Sequence, residues 1–354
     1  VEVRLRYLVC QQILSSVQCL YPVPPRVVPF GSSVNGFGKR GADLDMVIEP
    51  CVPNFQEKNN LFFQAKEASN SPRVQTQRQL ELVGDILSRL TPGCVALQRI
   101  LQARVPIVRF RHDLADVDCD VSMDPLGSKM SELLWSFGKM DPRVRPLIFA
   151  VRKWARSRGL TTVHPGKWIS NFGLTALVLF YLQCVEPSVI RVAFKGSEAS
   201  PEAESKNEMN LGELLTGFFE FGGQFDFKTK GMSLVTGKAC AKPDHSPLYV
   251  ENPLDRSLNV TRNVSGDEVD RFVRQCRESA WSVESNHASL PDLLLPAGSS
   301  MRFDLTSVST TLPKFQVKNL FSLGKEPGSP PDRKQKKDTG FRRSSVGKRA
   351  FTKR

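Results

Sequence analysis

The sequence predicts an α+β fold, with a mixed β-sheet in the first third of the chain and a mainly helical region after it. Three observations point there. Short apolar runs of strand character lie at residues 27–30, 44–48, 105–110 and 117–123, separated by polar stretches and one helical stretch. From Ser131 onward apolar residues recur at helical spacing. On the run at 44–48 side-chain alternation sends Leu44, Met46 and Ile48 to one face, while Asp43 and Asp45 share the other.

In chain order, residues 4–20 read as an amphipathic helix carrying Leu5, Leu8, Val9, Ile13 and Val17, ended by Pro22, Pro24 and Pro25. The first two strands follow, then a polar insertion at 53–72, a helix at 74–90 and the remaining two strands. Helices are predicted at 146–158 and 171–184. The segment 195–210 is rich in Ser, Glu and Lys without periodicity and reads as a loop. A further helix at 267–281 places Val269, Phe272, Val273 and Cys276 on one face, and beyond about residue 295 the signal for order fades.

At 354 residues the chain is long for one core, which makes two domains the natural expectation. The net charge of +13 is uneven: residues 325–354 hold 11 basic and 3 acidic side chains, +8 of the total, leaving +5 for the rest. This favours a polyanionic partner, with the tail a disordered basic arm. Eight scattered cysteines without a Cys-x-x-Cys pair, and four histidines at no zinc spacing, argue for a reducing compartment and against structural zinc. No apolar run is long enough to cross a bilayer. The sequence begins at Val1, so a truncated or processed form is expected, with any targeting peptide out of view.

The chemistry concentrates in a few places. Two like charges side by side at Asp43 and Asp45 repel, and a divalent cation between them would relieve the repulsion. A third carboxylate can come from Asp116, Asp118 or Asp120, which share one strand parity. Gly31-Ser32 forms a small-residue turn of the kind that lets backbone N–H groups approach phosphates. On the helix at 146–158, Arg152 and Arg156 stand four apart on one face, and Leu147, Val151 and Trp154 form the core stripe.

Phe30-Gly31-Ser32-Ser33, the Asp43-Leu44-Asp45 strand and the later Asp120-Val121-Ser122-Met123 strand together resemble the DNA polymerase β-like nucleotidyltransferases, in particular the poly(A) and poly(U) polymerase branch and, within it, the mitochondrial poly(A) polymerases. The resemblance runs from about Arg4 to about Ser322. It implies a palm domain at 23–125, a discontinuous helical central domain made of residues 1–22 and 126–295, with the first helix packing on the helical part, and a basic tail at 296–354. It selects Asp120 as the third carboxylate, with Asp118 the alternative, so that Asp43, Asp45 and Asp120 hold two Mg2+ or Mn2+ ions for attack of an RNA 3′-hydroxyl on the α-phosphorus of ATP.

The same resemblance assigns nucleotide contacts to Gly31, Ser32, Arg152, Arg156, Asn171 and Phe172, to Ser131 for the sugar, and to Asn252, Asp255 and Leu258 for the base. Leu258 stands where relatives that prefer UTP often carry histidine, which favours ATP over UTP. The implied activity is template-independent RNA adenylylation of mitochondrial transcripts in the matrix, with a homodimer as an expected assembly and an RNA-binding-like domain expected ahead of this sequence. A terminal uridylyltransferase or broad-specificity transferase is the alternative. An RNA-binding pseudoenzyme is disfavoured, because Gly31, Ser32 and all three carboxylates are present.

Overall fold

The computed structural model describes residues 2–51, 71–162, 166–195, 198–201, 204–285 and 289–295. The polar insertion at 53–72 lies largely outside them, as does the basic tail.

Five strands form the first sheet: β1 (Arg26–Phe30), β2 (Leu44–Glu49), β3 (Cys94–Ile100), β4 (Ile107–His112) and β5 (Val117–Ser122), in the spatial order β1-β2-β5-β4-β3. β2 and β5 run parallel, and the other neighbours are antiparallel, so the sheet is mixed as predicted. A parallel pair cannot be joined by a tight turn. The crossover from β2 to β5 includes α2 (Pro72–Leu90), with Pro72 at its first turn, where a missing N–H costs nothing. Strand β3 was not anticipated. Its burial follows no two-residue period, and Ala96 sits at φ +51° where the pairing with β4 slips by a bulge, so alternation could not reveal it.

One face of this sheet is covered by α1 (Glu2–Val17) and α2. Val9, Cys10, Ile13 and Val17 of α1 pack with Leu80, Val83 and Leu87 of α2 over Leu44, Met46, Ile48, Val108, Phe110, Cys119 and Val121. This corrects the expectation that the first helix packs on the helical part: its apolar stripe meets the sheet. Arg6 reinforces the placement by donating to the Ser33 hydroxyl at 2.8 Å, to the Asp43 carbonyl at 3.1 Å and to the Ala42 carbonyl.

The second core is mainly helical. It is built by α3 (Leu126–Met140), α4 (Val144–Ser157), α5 (Asn171–Cys184), α6 (Leu211–Gln224) and α7 (Gly266–Glu284), with the short α8 (Leu290–Leu293) beside them. α5 is buried from Gly173 to Leu182 and forms the central helix. Trp154 of α4 is fully buried against Phe219 and Phe272, and its indole N–H donates to Ser279 on α7 at 2.9 Å. The expected stripe of Leu147, Val151 and Trp154 is therefore a core stripe.

Two features in this region were not read from the sequence. A four-stranded sheet, β8 (Lys230–Ser233), β9 (Lys238–Ala241), β10 (Val250–Asn252) and β11 (Asp255–Asn259), flanks α5 in the order β11-β10-β8-β9. The segment at 195–210 is not wholly a loop. β6 (Val192–Lys195) pairs with β7 (Glu198–Pro201), and Arg143 donates to the carbonyls of Asn207 and Met209 at 2.9 and 2.7 Å. These strands are only three to five residues long, too short for a periodic signal to show.

Because Ile13 is fully buried between α1 and the sheet, Ile13→Ala should destabilise the protein by about 2–5 kcal/mol. Denaturant unfolding measures this. A loss comparable to an exposed-site substitution would mean that α1 does not pack on the sheet in solution.

Candidate active site

The register between β2 and β5 places Asp45 directly opposite Asp120. Asp43 lies immediately before β2, on the same parity as Asp45. The three carboxylates feel one another. Burial, followed by the charges of Asp120 and Asp43, pushes the Asp45 carboxyl up to about 7, and burial together with Asp120 and Asp118 raises Asp43 as well. Asp118 is more exposed and stands one pleat away, paired with Arg111 at 3.4 Å. Asp120, the residue selected by the motif, is the one brought opposite Asp45.

Asp120 has a cation partner. Arg109 on β4 donates from Nε and Nη2 to its two oxygens at 2.8 and 2.7 Å. Among the described residues, no group of three or more His, Cys, Asp or Glu side chains is gathered closely enough to hold a metal ion as it stands. The donor set nevertheless fits a hard divalent cation such as Mg2+ or Mn2+ in kind: carboxylate oxygens whose burial, and then mutual repulsion, favour protonation at Asp45 and Asp43, with Asp120 turned onto an arginine.

Gly31 brings a tight turn against these carboxylates. It adopts φ +67°, and a Cβ there would overlap the Asp45 carboxylate, so both its conformation and its surroundings demand glycine. Its N–H donates to Ser131 Oγ at 2.7 Å, and Ser131 in turn donates to the Gly127 carbonyl at 2.9 Å. Ser131 is buried and pins the turn to α3 through these two contacts. Gly38 permits a second close approach, since a Cβ on it would strike the Ser32 carbonyl.

Next to the turn opens a cleft of about 570 Å3 between the sheet and the helices. Gly31, Ser32 and Ser131 line it, as do Arg152, Arg156, Asn171 and Phe172. Ser170 caps α5 by accepting from the Gly173 N–H at 3.0 Å, which sets Asn171 and Phe172 at the mouth of that helix.

Arg152 is placed but not free. Its guanidinium donates to the Phe37 carbonyl at 2.7 Å, to the Asn171 carbonyl at 3.2 Å and to the Thr175 hydroxyl, and burial lowers its pKa to about 10. Phe37 belongs to the loop after the phosphate turn, yet its ring is buried in the helical core, with the Arg152 guanidinium over it at 5.8 Å. Arg152 thus ties the phosphate turn to the start of α5. Arg156 is exposed, and two cations not anticipated, Lys39 and Lys153, also line the cleft. The signal for Lys153 was available: Phe149, Arg152, Lys153 and Arg156 follow the i, i+3, i+4, i+7 pattern of one helix face. Lys39 comes from an irregular loop and gave none.

Asn252, Asp255 and Leu258 do not line the cleft. The Asn252 side chain accepts from the N–H groups of Leu254 and Asp255 at 2.9 and 3.3 Å, and Asp255 accepts from the Ser257 hydroxyl at 2.6 Å, so both shape the turn between β10 and β11. Leu258 is half-buried on β11.

A sheet with an aspartate pair at the start of one strand and a third aspartate on its parallel neighbour, beside a glycine turn and a cation-lined cleft, is the architecture of a nucleotidyltransferase palm. Comparison with known proteins narrows the class. The family model described as poly(A) RNA polymerase, mitochondrial-like, central palm domain matches residues 1–139, and that of the Cid1 family poly A polymerase matches residues 210–258. The chain is 42% identical over 327 residues to the mitochondrial poly(A) RNA polymerase of Drosophila melanogaster, covering 82% of this chain and 52% of the relative. It is 36% identical over 359 residues to that of Homo sapiens, covering 90% and 61%. A crystal structure of mtPAP in complex with ATPγS aligns with a TM-score of 0.74 at 36% identity, over 83% of this chain and 69% of that one. The chain belongs to the mitochondrial poly(A) RNA polymerase-like family. It spans little more than half the length of the Drosophila relative.

The raised Asp45 carboxyl has a consequence with a definite sign. A group that binds its proton more tightly folded than unfolded contributes stability at acid pH, and this is lost as pH rises from about 4 towards about 7. In metal-free protein, Asp45→Asn should therefore raise stability at pH 8 by roughly 1–4 kcal/mol, and the gain should vanish at pH 4. Thermal melts of both proteins in chelator across this range provide the check; a pH-independent difference would show that Asp45 is not raised.

Proposed function

We propose that this chain is the catalytic part of a template-independent RNA adenylyltransferase that adds AMP from ATP to the 3′ ends of mitochondrial transcripts. The observation that carries the proposal is the register of Asp45 against Asp120 beside the Gly31 turn. Asp43, Asp45 and Asp120 would hold Mg2+ or Mn2+, which when bound supplies activation of the 3′-hydroxyl and charge neutralisation on the leaving pyrophosphate. Gly31 and Ser32 would place backbone donors at the triphosphate. Arg156, Lys153 and Lys39 are the cations able to reach it, and Arg152 sets the spacing between the turn and Phe172, on which the base would stack.

The mitochondrial location is proposed from the relatives, which are mitochondrial enzymes by name. Among the described residues no helix is long and apolar enough to cross a membrane. The organisation supported by the two hydrophobic cores is a palm that includes α1, followed by the helical part. A homodimer is retained as a proposal of the family likeness. A second reading, broad use of nucleotides, draws support from Leu258, which lies outside the cleft lining and so is poorly placed to exclude uracil.

Incubating a labelled RNA oligonucleotide with each of the four nucleotides separately distinguishes the readings. Extension with ATP alone supports adenylylation, equal ladders with all four support the broad reading, and no extension with any nucleotide sinks both. In the same assay Asp45→Ala and Asp120→Ala should each lose roughly a hundredfold or more of activity, because several kcal/mol of charge stabilisation goes with the ion. Asp118→Ala should retain most of it. The reverse order would move the third ligand to Asp118.

The arginines separate by the kind of defect. Arg156→Ala should raise KM for ATP by about ten- to a hundredfold, the weight of one charge-assisted phosphate contact, at unchanged melting temperature. Arg152→Ala should also lower the melting temperature, since it removes donors to Phe37, Asn171 and Thr175. Steady-state kinetics and melts on the two variants decide this; an unaltered KM in Arg156→Ala would return that residue to an ordinary solvated face.

A further inference from the structure

Asp120 differs from the two aspartates it faces in already having a cation. The antiparallel register of β4 and β5 sets Arg109 directly opposite Asp120, and Arg111, two residues on, opposite Asp118. The Arg109 guanidinium is presented edge-on, with one nitrogen to each carboxylate oxygen, so both oxygens of Asp120 are engaged. A cation shared with Asp45 needs one of those same oxygens. Arginine remains charged at any working pH and its planar fork matches a carboxylate, so this contact forms whenever no stronger cation is present.

Resting on the metal-site reading above, we propose that Arg109 is a resident counter-cation that latches Asp120 and must give up at least one of its oxygens when the divalent ion binds. Ion binding and release of the latch are then competing events. The latch is displaceable because its arginine is 46% exposed, where water weakens the pairing, and because the incoming ion carries twice the charge. It also accounts for why the acidic set is not gathered into a closed ligand group: the third carboxylate is drawn sideways along the sheet, onto β4, instead of across to Asp45.

Direct Mn2+ binding tests this without recourse to activity. Free Mn2+ is titrated by electron paramagnetic resonance against the whole chain and against Arg109→Gln, Arg109→Lys, Arg111→Gln and Asp45→Asn. Arg109→Gln should bind Mn2+ about fivefold more tightly, the factor that corresponds to losing one partly exposed ion pair. Arg109→Lys keeps the charge but lacks the fork, and should tighten binding by less; it decides the matter if the glutamine variant does not fold. Arg111→Gln removes the same charge from the same strand and should stay within about twofold of wild type.

Unchanged or weaker binding in both Arg109 variants would overturn the latch, as would equal tightening in Arg109→Gln and Arg111→Gln, which would reduce the effect to net charge. A failure of the metal-site reading looks different. Wild-type Mn2+ binding that Asp45→Asn does not diminish would place the ion elsewhere and remove the basis of the latch with it.

Discussion

Everything chemical in this protein depends on one pairing, the parallel contact of β2 with β5. The two strands are far apart in sequence, and their register, Leu44 with Cys119 and Asp45 with Asp120, brings carboxylates from both into one place. A slip of one residue would turn every side chain of the moved strand to the opposite face. The register is held by the apolar set on the other face, where Leu44, Met46, Cys119 and Val121 are sealed beneath α1 and α2. The hydrophobic core thus opposes a repulsion that the carboxylates alone would resolve by moving apart. Burial first, and then the charges of Asp120 and Asp43, leave the Asp45 carboxyl raised in that arrangement.

A second constraint joins the two cores. Phe37 follows the phosphate turn in sequence but is buried among helices, and the Arg152 guanidinium lies over its ring while accepting groups from its carbonyl and from Asn171 surround that guanidinium. Ser131 adds a shorter tie from α3 to Gly31. The glycine turn and the start of α5 are in this way attached to the same helical body, although the turn is encoded beside the sheet. Arg156, Lys153 and Lys39 are exposed where they line the cleft, while Arg152 takes the structural contacts.

How much of this could be read in the sequence follows from the range of each interaction. Regular elements with a clear period were legible: β2 and β5, the Trp154 stripe of α4, and the helices at 171–184 and 267–281 all lie within a few residues of their predicted bounds. The glycine turn at Gly31 and the shared face of Asp43 and Asp45 are likewise local features that the spacing of the residues displays. The choice of Asp120 over Asp118 needed the motif, since alternation gives both the same face; strand register resolves the geometry. What stayed hidden was long-range. Nothing local says that α1 covers the sheet, that Arg109 lies across from Asp120, or that Arg152 reaches 115 residues back to Phe37. β3 is long enough for a pattern but its bulge breaks the alternation, and β10, with three residues, is too short to show one.

The burial of Phe37 makes the short loop that follows the phosphate turn a ruler. At one end Gly31 sits against Asp45, and at the other Phe37 is fixed in the helical core, so the number of residues between them sets the distance from the aspartates of the sheet to the helices that line the cleft. One extra residue adds up to about 3.5 Å of reach, while in-line attack tolerates errors of only about 1 Å. Along this stretch length is under tighter constraint than composition, and divergence here should proceed by exchange of side chains, never by insertion or deletion.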